Sequence, residues 1–392
     1  MKILISTFSF WPAIDGISSV AANHANGFLS NGHNVSIATT KNEQRYISKD
    51  NNEGCNIFEF DICGGPNFNY TGEIENYRKF LLESEFDIIF FHCLHSWTTD
   101  CASAIIDKVD AVKVLVSHGY SGNIIYSIKG LLNYLSWSRI KYRLQLKYLL
   151  GRFDHIVFLS DKKDKNRFYD FYLVHKFNLS SFSIIPNGSK IIDKKLCELN
   201  FRLKFKIRTK YLILSVSQYS KLKNQLMSLI AFKNSKLNDT TLLFIGQNKN
   251  KYTNMLKKYI RKNKLNNTIL LDNIMQKDIT NAYHSADLFL SSSHTETQPI
   301  VLLDAMGAGL PFISSNVGCV DAFKGGLISN NVDHMAEQII LLMNDNNKRK
   351  QLGTCGTREA NEIYNWAIII KKYEDLIQNY CSQSNPNITS TQ

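Results

Sequence analysis

The stretch DLFLSSSHTETQPIVLLDAMGAGLPFISSN, residues 287–316, alternates two short apolar runs with a helical segment. DLFLSSS and PFISSN are typical of buried strands, and PIVLLDAMGA between them is typical of a helix. Pro299 suits the first helical turn because proline has no N–H to leave unpaired. Gly307 and Gly309 allow the helix to end before Pro311. A strand, a helix and a strand in this order indicate a parallel α/β unit.

The same alternation recurs along the 392 residues and predicts two doubly wound domains. In the first half, the predicted strands are KILISTF, NVSIATT, DIIFFH, VKVLVSH and HIVFLS. In the second half, they are YLILSVS, TTLLFIG, TILLDN, DLFLSSS and PFISSN. Because open α/β sheets bind ligands at the carboxyl ends of their strands, we expect the two domains to face each other across a cleft that holds the site.

The polar stretch near residues 190–208 marks the predicted division between the domains. We assign residues 1–195 to the first domain and 196–364 to the second, with the basic run FRLKFKIRTK at 201–210 as a solvated linker. A last helical pattern covers residues 365–381 and is expected to pack back on the first domain. The polar tail 382–392 is expected to be disordered.

The net charge of +12 is unevenly spread. Residues 121–150 carry Lys129, Arg139, Lys141, Arg143 and Lys147 without any acid, among aromatic and aliphatic neighbours. This segment is typical of an amphipathic helix on an anionic membrane surface, but equally of the solvated basic face of a core helix. No recognised module supports binding to nucleic acid.

The chain has no apolar stretch of about 18 residues and no signal-peptide pattern. Its eight cysteines contain no C-x-x-C pair and are expected to be reduced thiols. These features favour a cytoplasmic protein, with the basic segment as a peripheral contact on the inner face of the plasma membrane.

The first candidate binding site is the loop at residues 294–300, between the strand DLFLSSS and the next helix. The free N–H groups of a helix N-terminus bind anions, and a diphosphate would fit there. Glu296 and Asp304 make sense beside it if they accept hydrogen bonds from the hydroxyls of a ribose and a hexose, as in a nucleotide sugar. Alternatively, Glu296 caps the helix and Asp304 is a solvated helical residue.

Three other strand ends offer groups for the same ligand. SVSQYSKLKNQ, residues 215–225, carries Lys221 and Lys223, and a lysine there can stabilise charge on a departing diphosphate. Gly16 follows the first strand, where a glycine lets backbone approach a phosphate. His118 ends the strand VLVSH. The ordinary alternatives are an exposed lysine and a structural histidine, and one glycine alone is a weak signal.

Together these stretches resemble the retaining glycosyltransferase family 4, which has the GT-B fold. The resemblance rests on the opening strand with its glycine loop, on VSHG, on SIIPNGSK, on SVSQYSKLKNQ, on YNWAIIIKKYEDL and above all on HSADLFLSSSHTETQPIVLLDAMGAGLPFISSNVG. It implies that the first domain binds the acceptor and the second binds the nucleotide sugar.

The resemblance also implies roles for individual residues. Glu296, Lys223 and His118 would be catalytic, with Glu296 on the sugar hydroxyls, Lys223 on the diphosphate and His118 near the transferred sugar. The remaining donor-binding residues would be Gly16, Gln218, Lys221, Gly246, Thr297, Gln298, Pro299, Ile300, Val301 and Asp304. No metal or other cofactor would be required, because lysines and the helix terminus would neutralise the diphosphate.

Three positions depart from the family's pattern. Gln218 stands where the family usually has arginine, Asp304 where it usually has glutamate, and Asp15 where it usually has the first glycine of a pair. Lys221 is a candidate substitute for the missing arginine.

The implied function is the retaining transfer of a sugar, as by a hexosyltransferase, from a nucleoside diphosphate sugar to a hydroxyl of a glycan or lipid-linked acceptor. Bacterial surface polysaccharide synthesis (O-antigen, capsule or lipopolysaccharide) is the expected setting. Two alternatives stay open: a catalytically silent nucleotide-sugar-binding subunit and a GT-B nucleotide-sugar epimerase. The sequence leaves open the sugar, the base, the acceptor and the oligomeric state.

Overall fold

The computed structural model describes residues 1–46, 54–65, 69–120, 137–190, 201–247 and 250–384. The chain divides into two compact units. One comprises Met1–Asn187 together with the C-terminal segment from Trp366, and the other comprises Gly188–Asn365. The sequence placed this boundary eight residues later, after residue 195, in a segment that lies outside the described residues.

In its described part, the first unit is built on a seven-stranded parallel sheet of order β3-β2-β1-β6-β7-β8-β9. Its strands are β1 (Lys2–Ser6), β2 (Asn34–Thr40), β3 (Asn56–Phe60), β6 (Ile88–His92), β7 (Val112–Ser117), β8 (His155–Phe158) and β9 (Ser181–Ile184). The short strands β4 (Ile62–Cys63) and β5 (Thr71–Gly72) form a separate antiparallel pair.

The helices of the first unit are α1 (Gly16–Ser30), α2 (Ile74–Glu83), α3 (Trp97–Ala102), α4 (Trp137–Leu150), α5 (Tyr169–Phe177) and α13 (Trp366–Ser384). The closing helix α13 packs directly on α1. Ile369 and Tyr373 of α13 share one buried core with Phe28 of α1 and Phe90 of β6.

The second unit has, among its described residues, a six-stranded parallel sheet of order β12-β11-β10-β13-β14-β15. Its strands are β10 (Tyr211–Val216), β11 (Thr240–Gly246), β12 (Thr268–Asp272), β13 (Leu288–Ser291), β14 (Phe312–Ser315) and β15 (Gly326–Ser329). Its helices are α6 (Phe201–Lys204), α7 (Gln225–Ser235), α8 (Lys251–Lys262), α9 (Gln276–Ser285), α10 (Ile300–Gly307), α11 (Val332–Asn344) and α12 (Asn346–Glu362).

All ten predicted strands are present, and the two parallel α/β sheets confirm the predicted fold class. The sequence missed β3, β9 and β15, each of which lies at the edge of its sheet. Central strands are buried on both faces and therefore read as continuous apolar runs, whereas NIFEF, SFSI and GLIS mix apolar residues with polar residues or glycine.

Three local predictions were wrong. The basic run 201–210 is not a solvated linker, because Phe201 and Ile207 are buried in the core of the second unit. Helix α10 begins at Ile300 rather than at Pro299. Helix α13 continues to Ser384, so the predicted tail begins three residues too early, and residues 385–392 lie outside the described part.

Of the basic segment 121–150, the structure describes the residues from 137 onward, which form α4. Leu146, Leu149 and Leu150 are buried, whereas Leu144 and Tyr148 are 74% and 68% exposed. Within the described ranges, no helix is both long and apolar enough to cross a membrane.

Candidate donor site

Two loops of the second unit lie at the carboxyl ends of the neighbouring strands β10 and β13 and are tied together. The N–H of His294 donates to the carbonyl of Leu222 at 2.8 Å. The hydroxyl of Ser292 donates to the carbonyl of Asn224 at 2.7 Å and accepts from the hydroxyl of Ser228 at 2.8 Å. These bonds hold the segment 215–225 against the loop 292–298, although the two segments are far apart in the chain.

Lys223 and Glu296 form an ion pair between these two loops. The Nζ of Lys223 lies 2.5 Å from Oε1 of Glu296, and the hydroxyl of Ser293 donates to the same oxygen at 2.8 Å. The two side chains are 26% and 15% exposed, so the pair is largely shielded from water. The N-cap of helix α10 is Pro299, and Glu296 makes no capping hydrogen bond to this helix. The sequence predicted both residues but not their pairing.

Helix α10 begins four residues after Glu296, and its first backbone N–H groups are unpaired among the described residues. Pro299 is the N-cap and supplies no side-chain hydrogen bond to the helix. Its carbonyl accepts from the N–H groups of Leu302 and Leu303. We find no acceptor among the described residues for the N–H groups of Ile300 and Val301. A helix N-terminus in this state binds anions.

The loop before α10 is held from behind by Gly318. The carbonyl of Thr297 accepts from the N–H of Cys319 at 3.1 Å. Gly318 has a φ of +54°, and a Cβ at this position would lie 2.1 Å from the Thr297 oxygen and 2.7 Å from the Glu296 oxygen. Only glycine permits this close approach, which sets the position of the loop. Gln298 and Pro299 are buried in it.

Gly246, the last residue of β11, allows a similar approach on the other loop. A Cβ there would lie 2.6 Å from the ring of Tyr219 and 2.7 Å from the carbonyl oxygen of Ser217. The glycine thus permits the loop after β10 to pack against the end of β11. The structure assigns it this packing role, and its predicted contact with the donor stays a prediction.

Gln218 and Lys221 lie on the exposed part of the same loop. The side-chain amide of Gln225 donates to the hydroxyl of Ser217 at 2.8 Å and to the carbonyl of Gln218 at 2.9 Å, which holds the loop backbone. The side chain at position 218 is thus left free to face solvent. Lys221 has no ion pair with any described residue and is the nearest cation in the chain to position 218.

Asp304 lies one turn inside α10, partly buried rather than solvated. Its Oδ1 accepts from the backbone N–H of Lys190 at 3.1 Å. Burial raises the pKa of the Asp304 carboxyl to about 6, and the hydrogen bond and positive charge of Lys190 oppose the rise. The carboxylate is therefore mostly ionised at neutral pH, with one oxygen committed to the backbone.

In the first unit, Gly16 and His118 follow β1 and β7, the two strands that flank β6. Gly16 is the first residue of α1, and the Asp15 carboxylate caps this helix by accepting from the N–H groups of Ile17 and Ser18, both at 2.9 Å. A phosphate at Gly16 would therefore meet a negative charge that already occupies the helix terminus.

His118 forms a contact that the sequence analysis missed. Its Nε2 lies 3.3 Å from Nδ1 of His92, the last residue of β6. Burial lowers the pKa of His118 to about 4, although the charge of Asp15 opposes the shift. His118 is therefore a neutral imidazole at physiological pH. The available signal was the histidine at the end of the predicted strand DIIFFH, the same strand-end position that drew attention to His118.

Comparison with known families covers most of the chain. Residues 14–188 match glycosyltransferase family 4, and residues 199–359 match glycosyl transferases group 1. Spore coat protein SA of Bacillus subtilis (strain 168) is 34% identical over 102 residues, which is 24% of this chain and 27% of that protein. Sulfoquinovosyl transferase SQD2 of Arabidopsis thaliana is 30% identical over 98 residues, 23% of this chain and 19% of that protein. The alignments thus span about a quarter and a fifth of these relatives.

Similar solved structures span nearly the whole chain. The sucrose-phosphate synthase of Thermosynechococcus elongatus has a TM-score of 0.79 at 15% identity, over 97% of this chain and 99% of the other. HepE of Anabaena, in complex with UDP and glucose, has a TM-score of 0.73 at 14% identity, over 97% and 100%. WaaG, a glycosyltransferase involved in lipopolysaccharide biosynthesis, has a TM-score of 0.67 at 16% identity, over 96% and 99%. At these identities, the likeness concerns the GT-B fold.

Proposed function

The chain belongs to the group 1 glycosyltransferases of family 4, and on this premise we propose that it transfers a sugar from a nucleoside diphosphate sugar to a hydroxyl group. The acceptor is a glycan or a lipid-linked sugar, and the anomeric configuration is retained. The observation that carries the proposal is the ion pair of Lys223 and Glu296, four residues before a helix start whose first N–H groups have no acceptor among the described residues.

The three groups suit different parts of one donor molecule. The N–H groups of Ile300 and Val301 and the ammonium of Lys223 attract the diphosphate. The Glu296 carboxylate accepts from sugar hydroxyls, and Asp304 accepts from ribose hydroxyls through the oxygen that Lys190 does not use. When the donor binds, the diphosphate competes with Glu296 for Lys223. Glu296 then keeps its bond from Ser293 and becomes available to the sugar.

The reaction follows from where negative charge develops. As the bond between the sugar and the diphosphate breaks, charge grows on the leaving oxygen, and Lys223 with the α10 N–H groups stabilises it. The departing diphosphate accepts the proton of the attacking hydroxyl on the same face of the sugar, which retains the configuration. We propose that these groups neutralise the diphosphate without a metal. Turnover should then survive EDTA, and a loss that Mg²⁺ restores would contradict this point.

The test is an incubation with a panel of nucleotide sugars, followed by measurement of free nucleotide and of donor structure. Transfer to a glycan or lipid-linked acceptor releases one nucleoside diphosphate per sugar. Isomerised donor without free nucleotide would instead establish the epimerase. Binding without either product would establish a silent subunit, an alternative favoured by the exposed, uncharged Gln218.

We also propose that helix α4 rests on an anionic membrane and that the acceptor is therefore lipid-linked, as in bacterial surface polysaccharide synthesis. The helix exposes Leu144 and Tyr148 beside the exposed Lys141 and Lys147. The Lys147 ammonium lies 3.8 Å from the ring centre of Phe177, which is 43% exposed. Exposed aromatic and aliphatic groups among lysines are typical of a surface that inserts into lipid headgroups. The protein would thus work at the cytoplasmic face.

Flotation with vesicles of phosphatidylcholine and phosphatidylglycerol tests this surface. The double variant Lys141→Gln/Lys147→Gln should weaken binding by roughly 30-fold, since each lysine near an anionic surface contributes about 1 kcal/mol. The control Lys258→Gln/Lys262→Gln removes the same charge from exposed positions of α8 in the second unit. Equal flotation of both variants would refute the assignment of the surface to α4.

A further inference from the structure

Three histidines of the first unit form a row from helix α1 to the end of β7. The ring centres of His24 and His92 lie 5.3 Å apart, as do those of His92 and His118. His24 and His92 are 1% and 0% exposed, whereas His118 is partly exposed. Beyond His24 the row ends against the rings of Tyr373 and Trp366 of α13.

All three rings are neutral at physiological pH. Burial lowers the pKa of His24 to about 3 and that of His118 to about 4, and it lowers the pKa of His92 well below its ordinary value. The charges of His24 and His118 also lower the pKa of His92, and the charge of His118 lowers the pKa of His24. Asp15 is the anion that acts on His118, and its effect is smaller than that of burial. Each ring therefore carries one proton, on one of its two nitrogens.

The contact between His92 and His118 determines where these protons are. Nδ1 of His92 and Nε2 of His118 are 3.3 Å apart, so one of them donates and the other accepts. Nε2 of His92 is buried and has no hydrogen-bond partner in the part of the chain that the structure describes. If Nε2 of His92 carried the proton, a buried side-chain N–H would lack an acceptor, which is uncommon in native proteins. The proton of His92 therefore belongs on Nδ1, from which it donates to Nε2 of His118.

We propose that His92 is a positioning residue that holds His118 in the tautomer with its proton on Nδ1. His118 then presents an N–H donor on the edge of its ring that faces away from His92. The ligand atom it suits is an oxygen with a free lone pair, such as a hydroxyl or phosphate oxygen. This inference rests on the proposed function, because it is His118 that would contact the substrate.

Two substitutions of His92 separate this role from packing. His92→Phe keeps an aromatic ring and removes both nitrogens. His92→Asn loses ring volume, but it places an amide N–H near the position of Nδ1. His24→Phe is the matched control, since His24 belongs to the same row and makes no hydrogen bond to His118 among the described residues.

The first measurement is ¹⁵N NMR of histidine-labelled protein, with His118 assigned from its loss in His118→Ala. We expect the Nδ1–H tautomer in the wild type, its loss in His92→Phe and its return in His92→Asn. His24→Phe should leave it unchanged. A wild-type His118 protonated on Nε2 would overturn the inference. This measurement on the wild type does not require any variant of His92 to fold.

The second measurement is kcat/KM with the best donor. His92→Phe should lower it about tenfold, the effect of one lost hydrogen bond to the substrate, and His92→Asn should recover most of it. A His92→Phe enzyme within twofold of the wild type, combined with an inactive His118→Ala enzyme, would refute the role of His92 alone. Full turnover of His118→Ala would refute the proposed placement of His118 in the site.

Discussion

Substitution of Gly318 by alanine perturbs the candidate site without touching any side chain assigned to it. Gly318 lies directly behind the loop of Glu296 and Thr297 and has a left-handed backbone. The added Cβ would lie 2.1 Å from the Thr297 oxygen, against an ordinary contact of about 3.5 Å. Both oxygens it meets belong to the backbone, so no side-chain rotation relieves the clash. The loop must move by roughly 1 Å or more.

The cost follows from three contributions. An alanine in the left-handed region costs about 1 kcal/mol. Displacing Thr297 stretches the hydrogen bond from Cys319, which contributes about 1 kcal/mol. The residual clash adds a similar amount, so the free energy of unfolding should fall by about 3 kcal/mol. A shift of about 1 Å in Glu296 should lower kcat/KM by about 100-fold.

The assay pairs urea unfolding with donor kinetics and uses Gly32→Ala as the matched control. Gly32 also has a left-handed backbone, at φ +83°, but a Cβ there would meet nothing within 4 Å. Gly32→Ala should therefore lose about 1 kcal/mol of stability and no activity. If both variants lost the same stability and kept full activity, the loop would not depend on Gly318, and the account of its position would be wrong.

Other predictions concern charge. Lys223→Met should lower kcat by about 100- to 1,000-fold. Lys221→Met, at an exposed site, should lower kcat far less. Equal losses of kcat in steady-state kinetics would contradict the ion-pair assignment. Gln218→Arg should raise kcat several-fold by adding a cation at the leaving group, and an unchanged rate would exclude position 218 from the site. The pKa of His24 is about 3 in the folded protein, against about 6.5 in the unfolded chain. The unfolded chain therefore binds a proton first as the pH falls. The contribution of neutral His24 to stability is present above pH 6.5 and declines below it. Between pH 7 and pH 5 the stability of His24→Phe relative to the wild type should therefore improve by about 2 kcal/mol in urea unfolding, and a constant difference would refute this charge state.

The sequence predicted the fold well where burial leaves a strong pattern. Every strand it predicted lies in one of the two sheets, because a strand covered on both faces is apolar throughout. The missed strands β3, β9 and β15 carry polar residues or glycine and belong to sheet edges, where sequence periodicity is weakest. The sequence analysis missed helix α6 because the helix has four residues. One of them is a buried phenylalanine, and the other three are basic or exposed.

The sequence named the candidate site residues but not the contacts between them. The order of strands and helices placed Lys223 and Glu296 at the same sheet edge, but a separation of 73 residues conceals the ion pair. The bond from the Lys190 backbone to Asp304 joins residues 114 apart in the chain, and a backbone donor has no sequence signature. The sequence did not predict a role for His92, because a histidine at a strand end indicates a role only when its neighbour in the sheet is known.

The most direct test of the account is a crystal structure of the protein with the nucleotide sugar that the panel selects. We expect the diphosphate within hydrogen-bond distance of the N–H groups of Ile300 and Val301 and of Nζ of Lys223, with Glu296 released to the sugar hydroxyls. A bound donor whose diphosphate contacts none of these three groups, while Lys223 and Glu296 stay paired, would contradict the account.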